Sequence, residues 1–212
     1  MRLLRPSGLA MTNQISMTTD KRQDHQLILE WIESKSRVLD LGCGDGTLLS
    51  LLIHEKSCRG TGIEIDEKMI YQSMAKELSV SHGNIDSSLS DYSDKRFDYV
   101  ILNESLQQVL HPKKVILESL RVGKKVIVGI PNFCQIRARF QIFFQGRVPV
   151  TKELPYEWYD TPNLRFLSLK DFRHFCRRNK IKILKEQGLA GQKLVNVRPN
   201  LLANIGLYLL EK

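Results

Sequence analysis

Three glycines at alternate positions, Gly42, Gly44 and Gly46, follow the apolar run Val38-Leu39-Asp40-Leu41, and Thr47-Leu48-Leu49 opens a new apolar pattern. Glycines so spaced mark a buried strand turning sharply into a helix. They leave bare backbone, that of Cys43 included, against which a ligand can lie. Charge decides which ligand. Asp40 stands at the strand tip and Asp45 within the loop, where a pyrophosphate would meet two like charges. The spacing G-x-G-x-G also departs from the G-x-G-x-x-G of dinucleotide sites. S-adenosylmethionine carries an ammonium and a sulfonium and no phosphate, so carboxylates favour it. The loop is therefore read as a site for S-adenosylmethionine, or for its demethylated product S-adenosylhomocysteine.

Glu64 is the second anchor. It ends the next apolar run, with Ile65 beside it, where a carboxylate can accept from both ribose hydroxyls of a nucleoside. After a third strand comes Gly83-Asn84-Ile85-Asp86. Here the Asn84 amide oxygen can accept from an adenine amino group while Ile85 packs on the ring. A fourth strand exits into Asn103-Glu104-Ser105, facing the methionine moiety or a substrate. Methyl transfer asks mainly for in-line positioning in a shielded site, and an oxygen nucleophile would also want a base. Glu104, His111 and Asp160 are candidates, and nothing singles one out, so no catalytic residue is assigned. His111, before Pro112, reads as a helix start.

The chain has 212 residues, 42% of them hydrophobic, enough for one domain with a sizeable core. A formal net charge of +9 would suit an anionic partner. The positive residues are scattered, however, and no aromatic-basic recognition motif accompanies them, so nucleic acid is not the expected partner. Cys43, Cys58, Cys134 and Cys176 form no C-x-x-C pair and no metal-ligand spacing with histidine, which suggests free thiols in a reducing cytoplasm and no metal. No apolar run approaches spanning length, so no membrane association is expected. Residues 1–21 read as a disordered extension, with Met11 and Met17 both offering later starts.

These residues need a scaffold. Apolar periodicity predicts helices at 24–32, 47–54, 68–77, 112–120 and 170–179. Strands are predicted at 37–41, 60–66, 80–82, 97–102, 124–130, 181–184 and 205–210. Seven strands alternating with helices give an α/β fold whose mostly parallel sheet is covered on both faces. Its ligand belongs beyond the carboxyl ends of the strands. Residues 132–166 interrupt that rhythm after strand five. Ile136, Phe140, Phe143 and Phe144 share one helical face. Pro149, Pro155 and Pro162 then punctuate a stretch rich in aromatics, which excludes a long helix or central strand. A segment of that length is read as an ordered lid, a docking surface, or a flap packed on its own domain.

Asp40 through Gly46, together with Glu64, resembles the class I S-adenosylmethionine-dependent methyltransferases, whose fold is Rossmann-like. Further stretches narrow this: 97–102 leading to Leu106-Gln107, Ile130-Pro131-Asn132-Phe133, and Gly146-Arg147-Val148-Pro149-Val150-Thr151. The most selective is Leu154-Pro155-Tyr156-Glu157-Trp158-Tyr159-Asp160-Thr161-Pro162-Asn163. Together, over about 22–210, they resemble the MetW methionine-biosynthesis family, departing from it at Asn84, where that family more often has Asp, and at 103–105. The resemblance implies an accessory or activating role beside homoserine O-acetyltransferase, with Tyr156, Trp158, Tyr159 and Asp160 available to a partner or substrate. The alternative it leaves is an active methyltransferase acting on a small molecule.

Overall fold

The computed structural model describes residues 22–151 and 154–212. The extension expected at 1–21 lies outside the described residues, as do Lys152 and Glu153.

The order of elements is α1 (Gln23–Trp31), β1 (Arg37–Leu41), α2 (Thr47–Lys56), β2 (Arg59–Glu64), α3 (Glu67–Met74), β3 (Val80–His82), β4 (Phe97–Asn103), α4 (Pro112–Val122) and β5 (Gly123–Pro131). After the insertion come α6 (Leu169–Arg178), β6 (Lys182–Ala190), β7 (Lys193–Val195), α7 (Pro199–Leu202) and β8 (Ile205–Glu211). Within the insertion lie α5 (Ile136–Phe140) and a π-helical turn, Gln141–Gln145.

The strands form one sheet in the order β3-β2-β1-β4-β5-β8-β6-β7. From β3 to β5 the pairing is parallel, and the last three strands join antiparallel. Side chains of a strand alternate between faces, so β4 serves two cores. Tyr99 and Ile101 pack with Leu27, Ile28, Leu48 and Leu52 from α1 and α2. Val100 and Leu102 pack with Ile116 and Leu120 from α4 and with Phe172 from α6. The chain leaves β1 towards β2 on one side and has β4 on the other, and a crevice opens where strand order reverses.

The sheet has eight strands where seven were expected. Past Leu184 the apolar pattern of β6 gives way to Lys185-Glu186-Gln187, yet its pairing with β8 runs on to Leu189 opposite Ile205. Gly191, in the left-handed region at φ +60°, then turns the chain back into β7, whose three residues carry no strand signature of their own.

Caps fix the helix starts. Asp66 accepts from the amides of Lys68 and Met69 at the head of α3, and His111 and Pro112 open α4 as the sequence predicts. Ser168 and Asp171 form a reciprocal capping box on α6. Ser168→Ala should lose about 1 kcal/mol, and a thermal melt should fall by about 2–4 °C. An unchanged melting temperature would show that the box contributes nothing.

Among the described residues, no helix is long and apolar enough to cross a membrane, all four cysteines are free, and no cluster of metal-ligating side chains occurs.

Candidate functional site

The turn from β1 into α2 is built by conformations that glycine alone adopts without strain: Gly42, Gly44 and Gly46 stand at φ +75°, +56° and +74°. The amides of Gly42 and Cys43 both donate to the Ile63 carbonyl of β2, at 2.8 and 3.3 Å. A Cβ on Gly42 would lie 2.8 Å from the Ser105 Cβ, whereas one on Gly44 would meet no protein atom within 4 Å. Gly42 is thus demanded by packing as well as by φ, and Gly44 by φ at the open floor of the crevice. Gly42→Ala should destabilise the fold by about 2–4 kcal/mol through left-handed strain and overpacking together. A denaturant titration checks this, and a loss below 1 kcal/mol would show that the loop yields.

Glu64, at the end of β2, closes the loop from the other side. Its carboxylate accepts the amides of Gly44 at 2.8 Å, Ile65 at 2.8 Å and Asp66 at 3.0 Å. A carboxylate offers about four acceptor positions, so about one remains for anything else. The sequence expectation had Glu64 free for two ribose hydroxyls; in the structure it is chiefly the clasp of the loop.

Two connected recesses flank Gly42 and Gly44. The outer cleft, about 610 Å³, has Glu64, Ile65, Asn84 and Ile85 on its walls, with Tyr156 and Pro162 reaching in from the insertion. Ile65 is 61% exposed, an apolar side chain standing free beside the carboxylate. The Asn84 oxygen is partly committed, accepting the Asp86 amide at 2.9 Å. Asp86 in turn accepts the amides of Leu110 and His111 at 2.9 and 2.8 Å, tying the β3 exit to the head of α4.

The inner chamber, about 220 Å³, is lined by Arg22, His25, Asp40, Cys43, Asn103 and Glu104 among others. Asp40 is 2% exposed, and among the described residues no donor reaches its carboxylate. Burial, and then the charge of Glu64, push its pKa up to about 7. Asn103 donates to Asp24 at 2.8 Å, but its own side-chain oxygen is buried without a partner. That oxygen lies over Gly129 of β5, where a Cβ would collide with it, so it is Asp40 that presents a donor-less acceptor to this space. Burial, then the charges of Asp40 and Glu64, raise the Cys43 thiol to about 12; with its sulfur packed towards Gly62, it is neutral and structural.

Arg22 spans the chamber mouth, paired with Asp24 at 2.6 Å and with Glu104. Glu104 is left-handed at φ +58°. Burial disfavours the charge on Asp24, but hydrogen bonds from Arg22 and Asn103 overcome it and hold its pKa down. Burial lowers the pKa of His25. Arg22, Asp24 and His25 belong to no motif; the one hint in the sequence is an acid beside the apolar residues of α1.

Asp45 proves different from its sequence reading. Burial works against its charge, yet hydrogen bonds from Lys76 and Thr47 bring its pKa down to about 2. It accepts the Thr47 amide at 3.1 Å ahead of α2 and pairs with Lys76 at 2.8 Å. Asp45 thus keeps its charge in the loop, offset by Lys76, beside Asp40 and Glu64.

The four residues singled out near the end of the insertion separate. Tyr156 lines the cleft. Trp158 and Tyr159, 71% and 70% exposed, turn outward with their rings in edge contact, and Asp160 is exposed beside them. Of the base candidates, Glu104 is held in its ion pair, and the His111 side chain is exposed beside Asp86 and lines neither recess.

The parallel sheet with its switch-point crevice and glycine turn defines an α/β protein of the class I methyltransferase-like fold. Solved structures agree. An S-adenosylmethionine-dependent methyltransferase from Archaeoglobus fulgidus superposes with a TM-score of 0.67 at 14% identity, covering 89% of this chain and 91% of that one. One from Thermotoga maritima gives 0.63 at 16%, covering 89% and 87%. At such identities the likeness concerns the fold alone.

The chain belongs to the family described as methionine biosynthesis protein MetW, whose profile matches residues 22–210. A Rhodopirellula baltica protein described as bifunctional methionine biosynthesis protein MetXA/MetW is 34% identical over 159 residues, 71% of this chain and 26% of that one. This chain therefore spans about a quarter of that relative's length.

Proposed function

We propose that the protein binds S-adenosylmethionine or S-adenosylhomocysteine across the two recesses and serves as an accessory, activating partner of homoserine O-acetyltransferase in the cytoplasm. The observation that carries the ligand reading is the buried Asp40 carboxylate, which lines the inner chamber without a donor among the described residues. An ammonium supplies the donors and the charge it lacks, and a phosphate supplies neither. The residues present therefore fit the group. Asp40 would hold its ammonium, and the backbone of Gly42, Cys43 and Gly44 its midsection. The remaining acceptor position of Glu64 would take a ribose hydroxyl. Ile65 and Ile85 would sandwich the adenine, with Asn84 at its edge.

S-adenosylmethionine supplies an electrophilic methyl group when bound. What the chain contributes is a polar chamber for the charged end of the ligand and a fixed orientation. Among the described residues Glu104 is held in its ion pair with Arg22 and Asp40 is assigned to the ligand's ammonium, which favours an accessory role over transfer to an oxygen acceptor. The partnership is supported by the relative in which a MetW region shares one polypeptide with a MetXA region. Residues 132–166 would meet the partner, with Trp158, Tyr159 and Asp160 outward and Tyr156 turned to the ligand.

The test is calorimetric titration of S-adenosylmethionine into the chain, alone and with the acetyltransferase, while acetyl transfer and methyl consumption are followed. Binding, together with acetyl transfer that rises when the chain is added and no methyl consumed, supports the reading. Methyl transfer to a small acceptor with the acetyltransferase indifferent would replace it with the methyltransferase alternative.

A further inference from the structure

The helical part of the insertion is folded inside out. Ala138 is fully buried against the domain, while Phe140, Phe143 and Phe144, on the other side, are 55%, 80% and 67% exposed. The rings do not collapse onto the protein. They stack on one another instead, with centroids 4.4 Å apart for Phe140–Phe144 and 4.8 Å for Phe143–Phe144. The backbone beneath them is tied down at both ends. The Gln135 side chain accepts the Arg137 amide at 2.8 Å. The Gln141 side chain pairs with both the amide and the carbonyl of Val150, at 2.9 and 3.1 Å. Gly146 at φ +61° ends the turn. A preorganised knob of three aromatics costs solubility unless something covers it.

Its charge is one-sided. Residues 135–151 contain Arg137, Arg139 and Arg147 and no acid. Among the described residues no carboxylate pairs with any of the three. Two copies meeting about a two-fold axis would set arginines against arginines, which argues against self-association. An aromatic knob ringed by arginine is instead the composition enriched at the centres of heterologous interfaces.

We propose that this knob, residues 136–147, is the surface that docks the acetyltransferase, inserting into an apolar groove rimmed by carboxylates. The inference rests on the partnership proposed above and narrows it. The 136–147 half of the insertion makes the principal contact with the partner, while Tyr156 and Pro162 of the other half line the ligand cleft. A single protruding helix of about ten residues suits a protein groove better than the flat boundary of a lipid surface.

The experiment uses the full chain and the acetyltransferase from the same genome, with complex formation read by calorimetry and light scattering. The Phe143→Ala/Phe144→Ala double variant and the Arg137→Glu/Arg147→Glu double variant should each weaken the complex at least thirty-fold. S-adenosylmethionine affinity should stay within twofold of wild type, since neither pair touches the cleft. Tyr71→Ala, on exposed α3, should leave the complex unchanged. A wild-type complex that both double variants leave intact overturns the docking surface while the partnership stands. If the wild-type chain forms no complex, the partnership itself fails and the inference with it. A homodimer, or binding to phosphatidylglycerol vesicles, that the phenylalanine variant abolishes would assign the knob to a second copy or to a membrane, and would overturn the proposal equally.

Discussion

Replacing Glu64 by alanine is expected to remove ligand binding and to loosen the whole crevice. Three backbone amides, those of Gly44, Ile65 and Asp66, donate to this one carboxylate. Each amide left without an acceptor costs about 1–3 kcal/mol. Water reaching the edge of the site recovers part of that, leaving a loss of about 3–5 kcal/mol, or about 10–15 °C in a thermal melt of a domain this size. Affinity for S-adenosylmethionine should fall by about a hundredfold or more, because the loop that forms the site is no longer held. Glu64→Gln should be nearly as harmful, since its amide group would turn a donor towards donors. A melting temperature within 2 °C of wild type in both variants would show that Glu64 does not clasp the loop.

Asp40→Asn should separate binding from stability in opposite directions. In the ligand-free protein, burial and then the neighbouring Glu64 charge lift the Asp40 pKa from 3.8 to about 7. A cationic ligand needs the ionised form, so affinity should rise by about tenfold per pH unit between about pH 5.5 and 7 and then flatten. The asparagine variant should lose that slope and bind about a hundredfold more weakly at pH 7.5, having lost a charged hydrogen bond in a buried site. For stability the sign reverses. The folded chain keeps a proton that the unfolded chain releases between about pH 4 and 7. The group's contribution is therefore most favourable below about pH 4 and declines as pH rises through 7. The variant should be more stable than wild type at pH 8, by on the order of 4 kcal/mol if the whole shift is recovered. Parallel isothermal titrations and denaturant melts across this range check both halves. Equal pH slopes for the two proteins would remove Asp40 from the ligand.

Much of this was legible in the chain because it rests on local rules. The glycine turn, the strand before it and the alternation of strands with helices are set by φ preferences and apolar periodicity, which neighbouring residues suffice to reveal. Val80–His82 is placed correctly despite being only three residues long, and the eighth strand is missed because β7 exists only through its hairpin with β6. Side-chain roles were harder. Glu64, Asn84 and Asp45 were each located, but their partners come from backbone amides or from Lys76, and no spacing rule foretells how many acceptor positions those consume. Arg22, Asp24 and His25 reach the chamber only because α1 docks beside β4. That is a tertiary fact with no motif to announce it. The spacing of the insertion's aromatics predicts its helix, yet the helix's solvent-facing orientation depends on Ala138 being the side that packs.

The far rim of the sheet limits how anything can attach to this molecule. Beyond the reach of β7, no strand among the described residues pairs with the outer flank of β6 through Lys182, Lys185 and Glu186, and a register shift falls between Ile183 and Lys185. Charges and a bulge are the devices by which proteins keep foreign backbones from zipping onto a border strand. Main-chain recruitment is closed off there, so that side must remain a quiet boundary.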